Sequence, residues 1–181
     1  MMKYCFSALV IVAATAILVP RASAQATATA TGRALAVGLT YQNIDPDYGP
    51  SRASGLGVFA NLDFSRYLGA TAELNFQTAF SSVVFKETTY MVGARGVYRH
   101  GRLTGYGKLL IGGASGSSNG VPGLLNVGSY PVFAIGGGLD VRMEHHITIR
   151  AIDYEQQQWL AYHPNGLTPH VFSFGAAYRF E

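Results

Sequence analysis

The stretch from His170 to Phe180 reads HVFSFGAAYRF. Drawn as an extended chain, it puts Phe172, Phe174, Ala176, Tyr178 and Phe180 on one side. Val171, Ser173, Gly175, Ala177 and Arg179 fall on the other. Side chains of a β-strand alternate between two faces, so this is a strand with one apolar, aromatic-rich face and one small or charged face. Two surroundings produce that pattern. One is the last strand of a soluble sandwich; the other has lipid outside and a packed polar lumen inside.

The rest of the chain separates the two. The same alternation recurs in Arg33–Asn43, Ala53–Asp63, Gly69–Phe80, Thr88–Tyr98, Leu103 to about Ala114, Pro131–Arg142 and Ile147 to about Gln158. Leu74, Val92, Leu109 and Phe174 each fall on the apolar side of their segment. In the seventh segment Asp153 lands on that side too, so either a β-bulge near Ile152 or a strand that leaves the membrane early is expected. Ile44–Arg52, Ser81–Glu87, Ser115–Tyr130 and Trp159–Thr168 read as long loops, rich in Pro, Gly or polar residues. Phe64–Leu68, Arg99–Arg102 and Met143–His146 read as short turns.

Eight strands joined by alternating long and short connections predict an all-β fold: an eight-stranded antiparallel up-and-down transmembrane β-barrel. A soluble lipocalin-like barrel has the same strand count but turns its apolar face inward around a ligand. Its outside would need a mixed coat of charges, and charged residues make up only 13% of this chain. A closed barrel also leaves no backbone edge unpaired, as a bilayer requires.

Residues 1–24 read as a secretory signal peptide. Lys3 gives the positive start, Phe6–Val19 the apolar run, and Ala22-Ser23-Ala24 an A-x-A cleavage site. Gln25 to about Gly32 is a short lead-in, and residues 33–181 form the barrel domain. Cleavage would remove Cys5, the chain's one cysteine, and with it any disulfide or metal–thiolate chemistry. It would also remove Lys3 and Arg21, leaving 11 basic and 10 acidic residues. No Lys/Arg cluster tracks a phosphate backbone, so nucleic acid is not an expected partner.

LAVGLTYQN, IRAIDYEQQQW and FSFGAAYRF give the chain a pattern that resembles the small OmpA-like outer-membrane β-barrel domain proteins, over about Arg33 to Phe180. The resemblance implies a bacterial outer-membrane location after export, a monomer among outer-membrane lipid, and no cofactor. It implies two biogenesis partners: periplasmic chaperones, and a barrel-assembly machinery that reads the C-terminal aromatics, here Tyr178 and Phe180. Glu181 follows where the family usually ends on the aromatic. No peptidoglycan-binding domain follows the barrel, so that activity is not carried over.

Eight strands leave an interior filled by side chains. The charges on the small-residue faces are Glu73, Arg95, Lys108, Asp140, Arg142, Arg150 and Arg179, and buried charges should pair. A loop centred on Val84 sets Glu73 level with Arg95; a turn centred on His145 sets Asp140 level with Arg150. A structural pairing that closes the lumen is the primary reading, and an ion relay the other. Small outer-membrane barrels that modify lipid A need a serine nucleophile and a histidine base close together. His170 and Ser173 are three apart, so on one strand they face opposite sides; His163 is the other candidate base. Adjacent His145 and His146 point apart and lack a third metal ligand. GASGSSNG has no following Lys and reads as loop, not as a phosphate cradle. A non-enzymatic barrel with a structural or surface-interaction role is the expectation. The competing readings are a narrow channel, a lipid A-modifying enzyme and a soluble lipocalin-like binder.

Overall fold

The computed structural model describes residues 34–45, 52–80, 84–119, 129–143, 146–160 and 166–180. The expected leader and lead-in lie outside them, as do His145 and His163. Eight strands follow in order: β1 (Ala34–Asp45), β2 (Ala53–Asp63), β3 (Leu68–Phe80), β4 (Val84–His100), β5 (Leu103–Asn119), β6 (Ser129–Arg142), β7 (Ile147–Trp159) and β8 (His170–Phe180). Each pairs antiparallel with the next, and β8 returns to β1, so the sheet closes into a barrel with no free edge.

The apolar faces point outward. On β8, Phe172, Phe174, Tyr178 and Phe180 are exposed while Val171, Ser173 and Ala177 are buried. Val92 is 57% and Leu109 50% exposed, and Leu74 likewise faces out. This decides against the lipocalin-like reading, in which these side chains would fill the interior. Soluble monomers seldom expose an apolar patch beyond a few hundred Å². A continuous apolar wall is what a hydrocarbon surrounding stabilises.

Three differences from the sequence reading matter. First, Ser81–Glu87 is not a long loop: β4 begins at Val84, so only residues 81–83 join it to β3. Second, β5 runs on to Asn119, taking most of GASGSSNG into the ladder and leaving 120–128 outside the described residues. β4 and β5 are therefore 17 residues each. A tilted strand crosses a bilayer in about 9–11 residues, so this hairpin projects beyond the wall. Third, β4 continues through Arg99 to His100, and the turn is only Gly101 and Arg102. Gly101 has φ +60°, the left-handed region a two-residue hairpin turn demands.

The bulge expected near Ile152 is present. Leu139 pairs with Ile152 but Asp140 pairs with Arg150, so β7 carries an extra residue, Ala151. Against β8 the register likewise shifts between Arg150 and Asp153. Ala151 and Ile152 both face out, and Asp153 regains the interior.

Candidate functional site

The interior has two layers. The half nearer the three short turns is a charge network. Its centre is Lys108 on β5, whose side chain is 1% exposed. An ammonium has three donors, and Lys108 Nζ meets three carboxylates: Glu73 Oε1 on β3 at 2.7 Å, Asp153 Oδ2 at 2.8 Å and Glu155 Oε2 at 3.0 Å on β7. Tyr106, two residues before Lys108 and so on the same face, donates its hydroxyl to Asp153 Oδ1 at 2.9 Å. Ser173 on β8 donates to Asp153 Oδ2 at 3.2 Å.

Two arginines complete this layer. Arg150 donates from Nε to Asp140 Oδ1 at 3.3 Å and sits over the Phe59 ring, its Cζ 3.7 Å from the ring centre. Arg95 donates to Asp140 Oδ2 at 2.5 Å, approaches Asp63 at 3.6 Å and stacks over Tyr106 at 4.2 Å. Both guanidiniums thus rest on aromatic faces, which adds a quadrupole attraction to the ion pairs. With its carboxamide turned to match its neighbours, Asn61 accepts from both arginines at 3.2 Å and donates to Thr71 Oγ1 at 2.8 Å. Inward-facing glycines make the room. A Cβ on Gly38 would come within 2.6 Å of the Phe59 ring, and one on Gly138 within 2.7 Å of the Tyr106 hydroxyl.

The other layer, nearer the long loops, holds two apolar clusters with buried polar side chains between them. β7 carries the transition along one face. Gln157 donates to Glu155 Oε1 at 2.7 Å, and Trp159 donates its indole N–H to Gln157 Oε1 at 3.0 Å. The Trp159 ring then packs with Met91, Leu110, Ala114, Val132, Ala134 and Leu167. Leu167 is tied to β7 by the Trp159 backbone N–H, which donates to its carbonyl at 2.8 Å. Ile44, Ala53 and Val171 form a second, smaller cluster. Between them, Gln42 donates to Asn75 Oδ1 at 2.7 Å and Asn75 to Thr89 Oγ1 at 3.2 Å, tying β1, β3 and β4.

The charges singled out from the sequence are brought together, with one pairing changed. Asp140 and Arg150 are cross-strand partners and bonded. Glu73 and Arg95 are not level: Glu73 lies opposite Met91, and Arg95 opposite Gly69. The cause is the shortened β3–β4 connection: Phe80 pairs with Val84, so the register is centred two residues before Val84. Moving a hairpin centre by two residues moves each partner by four, an even number, so both side chains stay inside and only their partners change. Glu73 takes its cation from β5, and Arg95 its carboxylates from β6 and β2. Arg142 and Arg179 sit below the network, at the turn end, where they line a cavity of about 40 Å³ with Asp63, Arg99 and Thr148.

The sequence reading missed Asp63, Asp153, Glu155, Tyr106 and the whole apolar plug. For β7 a signal was there: once Ala151 is taken out of phase, Asp153, Glu155, Gln157 and Trp159 fall on one face at period two. His170 and Ser173 do part company across the β8 wall. Ser173 is 3% exposed in the lumen, while His170 Nδ1 lies 2.7 Å from the Tyr154 hydroxyl on the outer face. His146 is exposed and stacks on Tyr178, ring centres 5.4 Å apart. Among the described residues, no three His, Cys, Asp or Glu side chains form a metal-binding group.

Comparisons with known proteins agree with this architecture. Neisserial surface protein A superposes with a TM-score of 0.62 at 10% identity, over 82% of this chain and 96% of that one. OprG from Pseudomonas aeruginosa gives 0.59 at 11% identity, over 83% and 97%. Ail of Yersinia pestis, solved with the heparin analogue sucrose octasulfate, gives 0.54 at 18% identity, over 82% and 97%. At these identities the likeness speaks for the fold alone. No curated protein matches the sequence. Residues 11–180, however, match the family model described as outer membrane protein beta-barrel domain, and the chain therefore belongs to that family of outer-membrane β-barrels.

Proposed function

We propose that this chain is a closed, non-catalytic, monomeric wall protein of the outer membrane, exported by the Met1–Ala24 signal peptide and presenting its long-loop end to the exterior. The observation that carries the reading is the continuous packing of the lumen. A network around Lys108 closes one half, and a plug around Trp159 closes the other. An ion relay needs mobile sites or water along its path; here each central carboxylate is bound by a neighbouring side chain. Against catalysis, the Ser173 hydroxyl is committed to Asp153 and faces away from His170. Tyr178 and Phe180, both on the outer face of the closing strand, are the side chains we propose the assembly machinery reads.

A surface role belongs to the loop end, where the protruding β4–β5 hairpin extends past the wall. Ail's structure holds a polysulfate, but by sequence position the long-loop segments of this chain carry Arg52 and Lys86 against Asp45, Asp47 and Glu87, so its ligand is not expected to be a polyanion. Planar-bilayer recording tests closure. Wild-type protein should insert without steady conductance steps. Steps that scale with added protein would favour the narrow channel.

A further inference from the structure

The strong charges are spread unevenly along the barrel axis. By sequence position, Arg33, Arg66, Arg99, Arg102, Arg142 and Arg179 lie in or beside the turns and chain ends, against Asp63, Glu144 and Glu181. Of the acids, Asp63 is already bound by Arg99 and Arg95. Arg66, Arg102 and Arg142 have no carboxylate partner among the described residues. Arg66 and Arg102 are exposed, and Arg142 is half-buried at the lumen mouth.

The same rim carries exposed aromatics: Phe64, Tyr67, Tyr98, Tyr178 and Phe180. Aromatic girdles mark the depth of the membrane–water interface in outer-membrane barrels. The Arg66 guanidinium lies 5.4 Å from the centre of the Tyr67 ring, which sets it at that depth. Its turn is held in place. Ser65 Oγ accepts from the Tyr67 and Leu68 N–H groups at 3.2 and 2.9 Å, and Arg99 donates to the Arg66 carbonyl at 2.8 Å. Arg102 sits in the next turn, its carbonyl accepting from the Arg142 N–H at 2.8 Å. A guanidinium at interfacial depth faces phosphodiesters, which it can bind through two parallel N–H···O bonds.

We propose that the turn-end rim is a binding surface for anionic phospholipid headgroups, with Arg66 and Arg102 contacting the phosphodiester and Arg142 adding positive potential at the mouth. The proposal rests on the transmembrane reading but not on which end faces the periplasm. If the turn end is periplasmic, the lipids bound are those of the periplasmic leaflet.

The full barrel in nanodiscs of phosphatidylethanolamine with one part in five phosphatidylglycerol provides the test. Lipid retained on gentle extraction is counted by native mass spectrometry. In wild type and in the loop-end control Arg52→Gln the ratio of phosphatidylglycerol to phosphatidylethanolamine in the retained lipid should exceed that of the disc on the order of fivefold, the effect of one well-placed surface arginine. The double variant Arg66→Gln/Arg102→Gln should fall to the disc ratio. Neither side chain enters the lumen, so folding, followed by heat-modifiable gel mobility, should be unchanged. No enrichment in wild type, or equal enrichment in the double variant, would overturn the proposal. Displacement by millimolar inorganic phosphate at constant ionic strength would also overturn it, by assigning the site to the free anion. A chain that does not enter nanodiscs at all would contradict the transmembrane reading itself.

Discussion

Lys108 concentrates the physics of the interior in one side chain. Its ammonium is out of water, a state made tolerable only by three carboxylates within 3.0 Å. Lys108→Met removes the cation and leaves Glu73, Asp153 and Glu155 facing one another. It should destabilise the folded barrel by at least about 3–5 kcal/mol, the usual cost of stranding a buried partner. Urea unfolding from lipid vesicles, read by gel mobility, measures it. The same assay decides which register governs Glu73. A double-mutant cycle between Glu73→Gln and Lys108→Met should give a coupling of 0.5–3 kcal/mol in magnitude, roughly the range for bonded neighbours. The cycle between Glu73→Gln and Arg95→Gln should give a smaller value, since Arg95 is bonded to Asp140 and Asp63 instead. Equal couplings in the two cycles would point to the register centred on Val84. On the outer wall, Val92→Arg should cost about 2–4 kcal/mol in the same assay, as for a basic residue at the midplane of a barrel wall.

Strands show why most of the fold was legible and part of the site was not. Alternation is a local property, so His170–Phe180 and Ala53–Asp63 could be bounded to the residue from their own letters. Strand ends beyond the apolar band carry no such signal. Val84–Glu87 and Ser115–Asn119 are polar or mixed and looked like loop, and their pairing comes from the neighbouring strand. Cross-lumen partners are further out of reach. Glu73 and Lys108 lie on strands that do not pair with each other, so no hairpin arithmetic brings them together. β7 supplies a test of the bulge. Deleting Ala151 should remove the extra residue yet leave Arg150, Asp153, Glu155, Gln157 and Trp159 facing in, so the variant should fold into vesicles. Deleting Gln156 should turn Gln157 and Trp159 out of phase with Asp153 and Glu155, and folding should fail. Folding of both variants to the same extent would mean that this face of β7 does not govern the lumen.

At the scale of the molecule, an apolar exterior and a filled interior define an integral outer-membrane barrel with a structural or surface-interaction role. Its proposed orientation predicts that a tag inserted within Ser115–Tyr130 is cleaved by protease on intact cells, whereas one in the Gly101–Arg102 turn is reached only after the outer membrane is permeabilised. The reverse pattern would invert the topology. The packed lumen itself has a built-in reporter, because Trp159 is the chain's one tryptophan and is 1% exposed. Its fluorescence in the barrel, reconstituted in lipid vesicles, should resist quenching both by acrylamide from the water and by brominated acyl chains from the bilayer. Strong acrylamide quenching would mean a water-filled lumen, and strong bromolipid quenching would mean that the face assigned to the interior looks out into the membrane.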